Sequence, residues 1–371
     1  MKDTFFIKKT IELAKKGLGE TSPNPCVGAI LVKNGKIIGK GWHKKAGGPH
    51  AEIIAIDDCG KRGEKTEGST LYVSLSPCCH YGKTGPCTEA IIDAKISKVV
   101  AAMSDPNPLC HNTTTIFKKH NIEYTVGIME QQARELNAPY LKYITTGLPY
   151  ITLKMALSLN EKISGQQGPY ITCFESRKYV HKLRRNVDAV LVGINTILAD
   201  NPHLNVRHVK GKNPKKIILD SSLKIHFDSA VLRDGNALII TTKKTSEKQK
   251  NLLSKKAEII VVENIKNLKK ILTLLADTGI RHILVEGGKK VAESFLQHQI
   301  VDKMVVFIAP IIIKKGIDFS LASLKWKEKK IKKIGTDILW EGSLFPKNKT
   351  DEKKIKKSRE KNRNKKRNHE R

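Results

Sequence analysis

Four side chains constrain this chain more than anything else in it: His50 and Glu52 of His50-Ala51-Glu52, Cys78 after Pro77, and Cys87. A catalytic zinc takes three protein ligands and keeps a fourth position open for water. One histidine and two cysteines supply that set, so the fold has to bring residue 50 and the 78–87 stretch to one point. Glu52 lies two residues past His50, and helix residues at i and i+2 do not face the same way. A carboxylate placed like that suits proton transfer better than ligation. There it can carry protons between the metal's water and a bound substrate. A bound zinc lowers the pKa of that water toward neutrality. His50 also falls at a predicted helix start, where the positive end of the dipole favours an anion. The adjacent Cys79 competes as a ligand, but neighbouring residues rarely reach one metal without strain, so Cys87 is preferred.

Around these residues the sequence alternates between helical and strand periodicity. Phe5, Ile7, Ile11, Leu13, Ala14 and Leu18 form one stripe and predict an amphipathic helix over 4–18. Two short apolar runs, 27–32 and 36–41, flank Asn34-Gly35 and predict a hairpin. Helix is expected over 50–58 and 87–94, and strand over 70–75 and 98–103. This alternation predicts an α/β/α layered domain over residues 1–146. A second α/β pattern begins at Tyr150. Its strands are expected at 150–156, 188–193, 216–220, 236–241, 257–262, 281–286 and 303–309, with helices near 174–185, 266–278 and 289–298. Such spacing suggests a mostly parallel sheet in a domain over 147–346, with Gly147–Pro149 as the linker.

Length agrees with two domains, since 371 residues exceed the usual single core. A formal charge of +32 raises the question of nucleic acid. Part of it is local: residues 347–371 hold 13 Lys/Arg against 4 Asp/Glu, with Ile355 their only aliphatic side chain. That run cannot bury a core, and a disordered basic tail is expected there. The +23 left on the body suits a phosphorylated substrate or cofactor and equally a compositional drift toward lysine. Aromatic content of 5% offers few platforms for stacked bases, so nucleic acid is not expected. No stretch has the roughly 18 apolar residues of a membrane span. The opening MKDTFFIKKTIELAKK interleaves charge with apolar residues and has no export core, so a cytoplasmic protein is expected. Seven cysteines in such a chain point to metal ligation or burial rather than disulfides, and Cys26, Cys59, Cys110 and Cys173 read as small buried hydrophobes.

The signature H-x-E…P-C-x-x-C marks zinc deaminases acting on nucleobases. Here Tyr81 stands where its last cysteine would be, and the run is P-C-C-H-Y-G-K-T-G-P-C from Pro77 to Cys87. With T-S-P-N-P-C-V-G-A from Thr21, G-W-H-K-K-A-G-G-P-H-A-E from Gly41 and D-P-N-P from Asp105, the chain resembles the bifunctional riboflavin-biosynthesis deaminase/reductase family. The resemblance runs to about residue 345, strong in the first half and looser in the second. It implies a cytidine-deaminase-like domain followed by a dihydrofolate-reductase-like one. It further implies that His50, Cys78 and Cys87 hold zinc, that Glu52 is the proton donor, and that Asn24, His43 and His80 line the substrate pocket. The implied reaction is hydrolytic loss of the 2-amino group from 2,5-diamino-6-ribosylamino-4(3H)-pyrimidinone 5′-phosphate. Two departures stand out. Ser76 replaces the usual glutamate before Pro-Cys, and Leu109–Thr113 replaces a glycine-rich segment whose backbone N–H groups would suit a phosphate.

No G-x-G-x-x-G follows a strand in the second half. Its nearest equivalent is Ile283-Leu-Val-Glu-Gly-Gly288 running into a predicted helix, a plausible pyrophosphate cradle. Lys154–Ser158, Arg184, the 193–207 segment and Glu286-Gly-Gly resemble the reductase half of the same family. The resemblance implies NADPH bordered by Leu157, Tyr170, Thr196, Asp200, Ser221, Gly287 and Gly288. It implies substrate bordered by Arg184, Leu204, Arg207 and Glu286, the arginines suiting its phosphate. Hydride transfer to the ribose C1′ would open it to a ribityl chain. Asn160 and Glu161 replace the usual Asp-Gly, Gly168 replaces a serine, and Glu161 would add bulk and negative charge near a nucleotide. Two other readings stay open on sequence grounds: a deaminase whose eroded second half only scaffolds, and a basic nucleic-acid-binding or base-editing deaminase. Assembly into a homo-oligomer is left open too.

Overall fold

The computed structural model describes residues 2–81, 85–165, 170–321, 326 and 328–344. Gly168 and the basic tail over 347–371 lie outside the described residues. Asn34 and Gly35 both take positive φ, 50° and 75°, the backbone that a two-residue hairpin needs. They join β1 (Gly28–Lys33) to β2 (Lys36–Trp42) as an antiparallel pair, with Lys33 opposite Lys36. β3 (Thr70–Val73), β4 (Lys98–Ala101) and β5 (Glu123–Val126) complete a sheet of order β2-β1-β3-β4-β5, the last three parallel. Six helices cover it: α1 (Lys2–Ala14), α2 (Ala51–Lys61), α3 (Cys87–Asp93), α4 (Thr113–Lys119), α5 (Glu130–Leu136) and α6 (Ala138–Thr146). Leu31, Leu71 and Val99 pack among side chains of α2, α3 and α4, while Ile30, Tyr72 and Val100 pack among those of α1, α5 and α6. That alternation is the period of two expected of a sheet covered on both faces, and it gives the α/β/α layering.

Glycine spacing in β2 sets where α2 lies. A Cβ on Gly39 would sit 2.3 Å from the Ala55 carbonyl oxygen, and one on Gly41 2.4 Å from that of Ala51. Ala51, Ala55 and Cys59, four residues apart, give the helix a face slim enough for this approach. The start of α2, with His50 just ahead of it, is thereby fixed against the sheet.

The chain continues through β6 (Tyr150–Ser158), β7 (Lys162–Gly165), α7 (Phe174–Arg185), β8 (Ala189–Gly193), α8 (Ile194–Asp200), β9 (Lys215–Leu219) and β10 (Ala237–Thr242). α9 (Glu247–Leu253), β11 (Glu258–Val262), α10 (Leu268–Asp277), β12 (His282–Val285), α11 (Lys289–Gln297) and β13 (Lys303–Ala309) follow, then β14 (Gly316–Asp318), β15 (Glu328–Ile334) and β16 (Asp337–Ser343). Strand order is β11-β10-β9-β8-β12-β6-β13-β16-β15, while β7 and β14 form a separate ribbon. All seven expected strands form, and the pairs among β9, β10 and β11, and between β13 and β6, are parallel as expected. The departure is at one end, where β16 pairs antiparallel with both β13 and β15. Glu-Lys-Lys-Ile-Lys-Lys-Ile in β15 shows no alternation because an end strand has one partner and little face to bury.

Compactness divides the chain into one unit of residues 1–150, 181–190 and 203–283, and another of 151–180, 191–202 and 284 onward. Within the first unit the Arg281 guanidinium lies over the Tyr143 ring, 3.3 Å from its centre. Lys216 of β9, only 1% exposed, is ion-paired with Asp234 in the same unit. Cys26, Cys59 and Cys110 are buried as expected, but Cys173 is only half-buried, its sulfur 3.4 Å from Ser176 Oγ and 3.3 Å from the Ile334 carbonyl. No helix among the described residues is long and apolar enough to cross a membrane.

Candidate metal centre and active sites

His50 precedes the first residue of α2 in extended backbone, φ −72° and ψ 162°, while Ile54 N donates to its carbonyl at 3.1 Å. Cys87 opens α3, and its backbone N–H donates to Cys78 Sγ at 3.4 Å. Cys78 lies in the loop after β3, tied by Thr88 N donating to its carbonyl at 3.2 Å. The result is a cluster. His50 Nδ1 is 3.1 Å from Cys87 Sγ and 3.5 Å from Cys78 Sγ, and the three donor atoms fall within 4.8 Å of one another. Zinc–sulfur bonds of about 2.3 Å and zinc–nitrogen bonds of about 2.0 Å imply tetrahedral edges of about 3.5–3.8 Å, so this donor set fits zinc. Cys79 points elsewhere, its sulfur donating to the Leu109 carbonyl at 3.3 Å, and geometry favours Cys87 over it. The hydrogen bond from Cys87 brings the Cys78 thiol down to about 4, against the effect of burial, and the same bond pushes Cys87 far up. His50 is held above its ordinary value, chiefly by its hydrogen bond with Cys78.

Glu52 is buried in the first turn of α2, and burial, then the nearby Cys78 charge, pushes its carboxyl up to about 7. His43 packs edge-on to His50, ring centres 5.5 Å apart. A carbonyl can only accept, so the 3.0 Å contact with Pro49 O puts the His43 proton on Nδ1. Nε2 then accepts from the Asn24 amide at 3.1 Å. Burial lowers the His43 pKa, which preserves that neutral tautomer. His80 is half-buried, with Nδ1 3.5 Å from Cys110 Sγ. Ser76 satisfies its buried position without a carboxylate: its hydroxyl donates to Met103 O at 3.2 Å and accepts from Tyr124 OH at 2.5 Å. In the altered loop, Asn107 caps a single turn over Pro108–Cys110, and His111 is tied to the Pro108 carbonyl. Sequence reasoning missed the partners of Asp105, which accepts from Tyr140 OH at 3.0 Å and 3.2 Å and from Asn107 N at 2.9 Å. Burial pushes that carboxyl up.

In the second compact unit, β12 leads through Glu286 into Gly287, Gly288 and α11. A Cβ on Gly287 would lie 2.6 Å from Val291 Cβ, so only glycine permits this close turn. Gly288 N donates to Thr196 Oγ1 at 3.2 Å, which joins the starts of α8 and α11, and Asp200 ends α8. Glu286 N donates to Leu191 O at 3.0 Å. Leu157 is closed inside β6, so contact with a cofactor is confined to its backbone. Tyr170 is exposed, and the Arg177 guanidinium already stacks 4.1 Å from its ring centre. Asn160 and Glu161, which replace the usual Asp-Gly, both have defined backbone partners. Asn160 donates to Ile313 O at 3.0 Å and accepts from Ile313 N at 3.1 Å; Glu161, at φ 58°, accepts from Leu321 N at 3.1 Å. The charge expected beside a nucleotide is thus committed to a backbone amide. In the first unit, Arg184 Nη1 donates to Asn205 O at 3.2 Å and Arg207 Nη1 to Asn205 Oδ1 at 3.1 Å, so both arginines converge on one residue. Leu204 is buried at φ 51°, and Ser221 is exposed beside Ser222.

These two sites have counterparts in known proteins. Residues 1–103 match the cytidine and deoxycytidylate deaminase zinc-binding region, and residues 149–340 match the RibD C-terminal domain. The chain is 45% identical to riboflavin biosynthesis protein RibD of Aquifex aeolicus (strain VF5), over 91% of this chain and 97% of that one. Two solved structures align over 93% of this chain and 99% of their own, each with a TM-score of 0.82. One is a diaminohydroxyphosphoribosylaminopyrimidine deaminase/5-amino-6-(5-phosphoribosylamino)uracil reductase from Thermotoga maritima, 37% identical; the other is RibD of Acinetobacter baumannii, 34% identical. With both halves matched in order and nearly end to end, the chain belongs to the RibD family of riboflavin-biosynthesis enzymes, which join a zinc-binding deaminase domain to an NADPH-dependent reductase domain.

Proposed function

We propose that residues 1–146 hydrolyse the 2-amino group from 2,5-diamino-6-ribosylamino-4(3H)-pyrimidinone 5′-phosphate. Residues 147–346 then reduce the product's ribosyl group to a ribityl chain, yielding 5-amino-6-(5-phospho-D-ribitylamino)uracil in the cytoplasm. The observation that carries the reading is the cluster of His50 Nδ1 with the Cys78 and Cys87 sulfurs, with Glu52 buried one residue into α2 beyond its start. When bound, zinc supplies a water acidified toward neutral pH. Glu52, buried beside the ligand cluster, would then move two protons in turn, the first to the ring nitrogen and the second to the departing amine, so that ammonia leaves. Asn24, oriented by its amide donation to the neutral His43, offers its amide oxygen to the pyrimidine, with His43 lining the pocket and His80 as a further contact. In the reductase, Thr196, Gly287 and Gly288 would border NADPH at the start of α11, with Asp200, Tyr170 and the Leu157 backbone adding contacts from the same unit, and Ser221 is assigned to the cofactor on the family resemblance alone. Arg184 and Arg207, converging on Asn205 beside Leu204, would receive the substrate phosphate, and Glu286 is assigned to the substrate on the family resemblance alone. NADPH supplies the hydride.

The test is to incubate the purified protein with the diaminopyrimidine phosphate, with and without NADPH, and identify products by mass. Deamination is expected in both tubes and reduction only with NADPH. Deaminated, unreduced product in both would leave only the first step, and unchanged substrate would overturn the reading. Glu52→Gln should fold, retain zinc and lose deamination by at least ~10²-fold, while still reducing pre-deaminated substrate.

A further inference from the structure

We infer that Asn137 is a positioning residue for the deaminase site: its buried amide fixes the segment from which Asn24 reaches His43. The inference rests on the deaminase reading above. Asn137 is 2% exposed and lies at the joint between α5 and α6, where both of its main-chain groups are occupied. Its N–H donates to Ala133 O at 3.1 Å, and its carbonyl accepts from Leu141 N at 2.9 Å. The residue's place is therefore set by two helices at once. Its side chain crosses to a segment 111 positions away. Cys26 N donates to Asn137 Oδ1 at 2.8 Å, and Asn137 Nδ2 donates to Cys26 O at 3.0 Å. The backbone partners leave no doubt about which way the amide points, since each can play only one role.

Cys26 stands two residues before β1, and the side-chain amide pairs with both of its main-chain groups as a neighbouring strand's peptide would. From there the chain of contacts is short. Asn24, two residues earlier, has its N–H on Thr21 O at 2.8 Å and gives its amide to His43 Nε2 at 3.1 Å. His43 in turn holds Pro49 O at 3.0 Å, next to His50. Removing the Asn137 amide orphans two buried groups of Cys26 and frees the 21–26 segment to shift. A shift of about 1 Å in a binding group far from the chemistry can cost up to ~10²-fold in rate. Asn24 and His43 bind rather than react, so the effect should appear mainly in KM.

The test uses the full-length, zinc-loaded protein with Asn137→Ala, Asn137→Asp, Asn24→Ala and the double variant Asn24→Ala/Asn137→Ala. Asn137→Ala is expected to raise KM for deamination about tenfold with a smaller change in kcat, leaving zinc content and NADPH-dependent reduction as in wild type. Its effect should largely vanish on an Asn24→Ala background, because both act through one group. Asn137→Asp keeps the acceptor for Cys26 N and loses the donor to Cys26 O, so an intermediate KM is expected even if the alanine variant folds poorly. Wild-type constants in Asn137→Asp, or full multiplicativity in the double variant, would overturn the inference. Hydrogen exchange supplies a readout free of substrate. Amides over 21–27 should exchange faster in Asn137→Asp while β1 stays protected, and unchanged exchange there would also overturn it. If the wild-type protein fails to deaminate the pyrimidine, the functional reading falls, and the exchange measurement still decides the tether.

Discussion

Cys78 and Cys79 are neighbours whose sulfurs serve different ends, one facing His50 and Cys87, the other bonded to Leu109 O. This gives a prediction for single residues. Cys87→Ala should abolish tight zinc binding and deamination together, whereas Cys79→Ala should keep one zinc per chain and near-normal turnover; elemental analysis of both variants checks it. Zinc loss in Cys79→Ala would reverse the ligand assignment. Ligand spacing made this set legible in the sequence, because His-x-Glu and Pro-Cys are local patterns with a chemical reason behind them. The supporting contacts were not legible. Asn24 with His43, Asp105 with Tyr140 and Cys26 with Asn137 join positions 19, 35 and 111 residues apart, and no periodicity pairs a lone amide with a distant backbone. The partners of Asn160 and Glu161, in the 313–321 segment, were hidden for the same reason.

Among the elements, β9 carries a buried ammonium whose partner governs its response to acid. Burial opposes ionisation of Asp234, but the Lys216 hydrogen bond and the Asn236 N–H outweigh it and hold the carboxyl below its ordinary value. A carboxyl depressed in the folded state stabilises fully above its unfolded pKa of about 4, and that contribution is lost as pH falls through the lower folded value. Asp234→Asn should therefore cost about 1–3 kcal/mol at pH 7, the low side for a buried pair because Asp234 meets solvent, and the gap should close below about pH 4. Denaturant midpoints measured from pH 7 to pH 3 check this, and a gap that stays constant across that range would refute it. Element prediction succeeded where burial imposed a period, as in the seven strands from 150 to 309. It failed for β5, α4 and α5, short segments with few fully buried side chains, and for β15 at the sheet's end.

At the scale of the molecule, two sheets of different topology carry two chemistries, a division legible from the change of motif near residue 147. The compact units cut the chain elsewhere because contacts such as Arg281 on Tyr143 bind parts distant in sequence. Among the described residues the last strand ends at Ser343, and the matched family region ends at residue 340. Deleting residues 347–371 should accordingly leave the kinetic constants of both reactions unchanged while lowering the net charge from +32 to +23; steady-state assays of the shortened chain check it. One consequence of the strand order concerns the protein at high concentration. β15 closes the order of the larger sheet, and Lys330, Lys332 and Lys333 stand exposed along it. Among the described residues no strand pairs with the outer side of β15, and ammonium groups there would oppose a second edge of the same kind. A few of the lysines that composition presents as a polyanion signal are thus expected to work against edge-to-edge pairing of crowded copies.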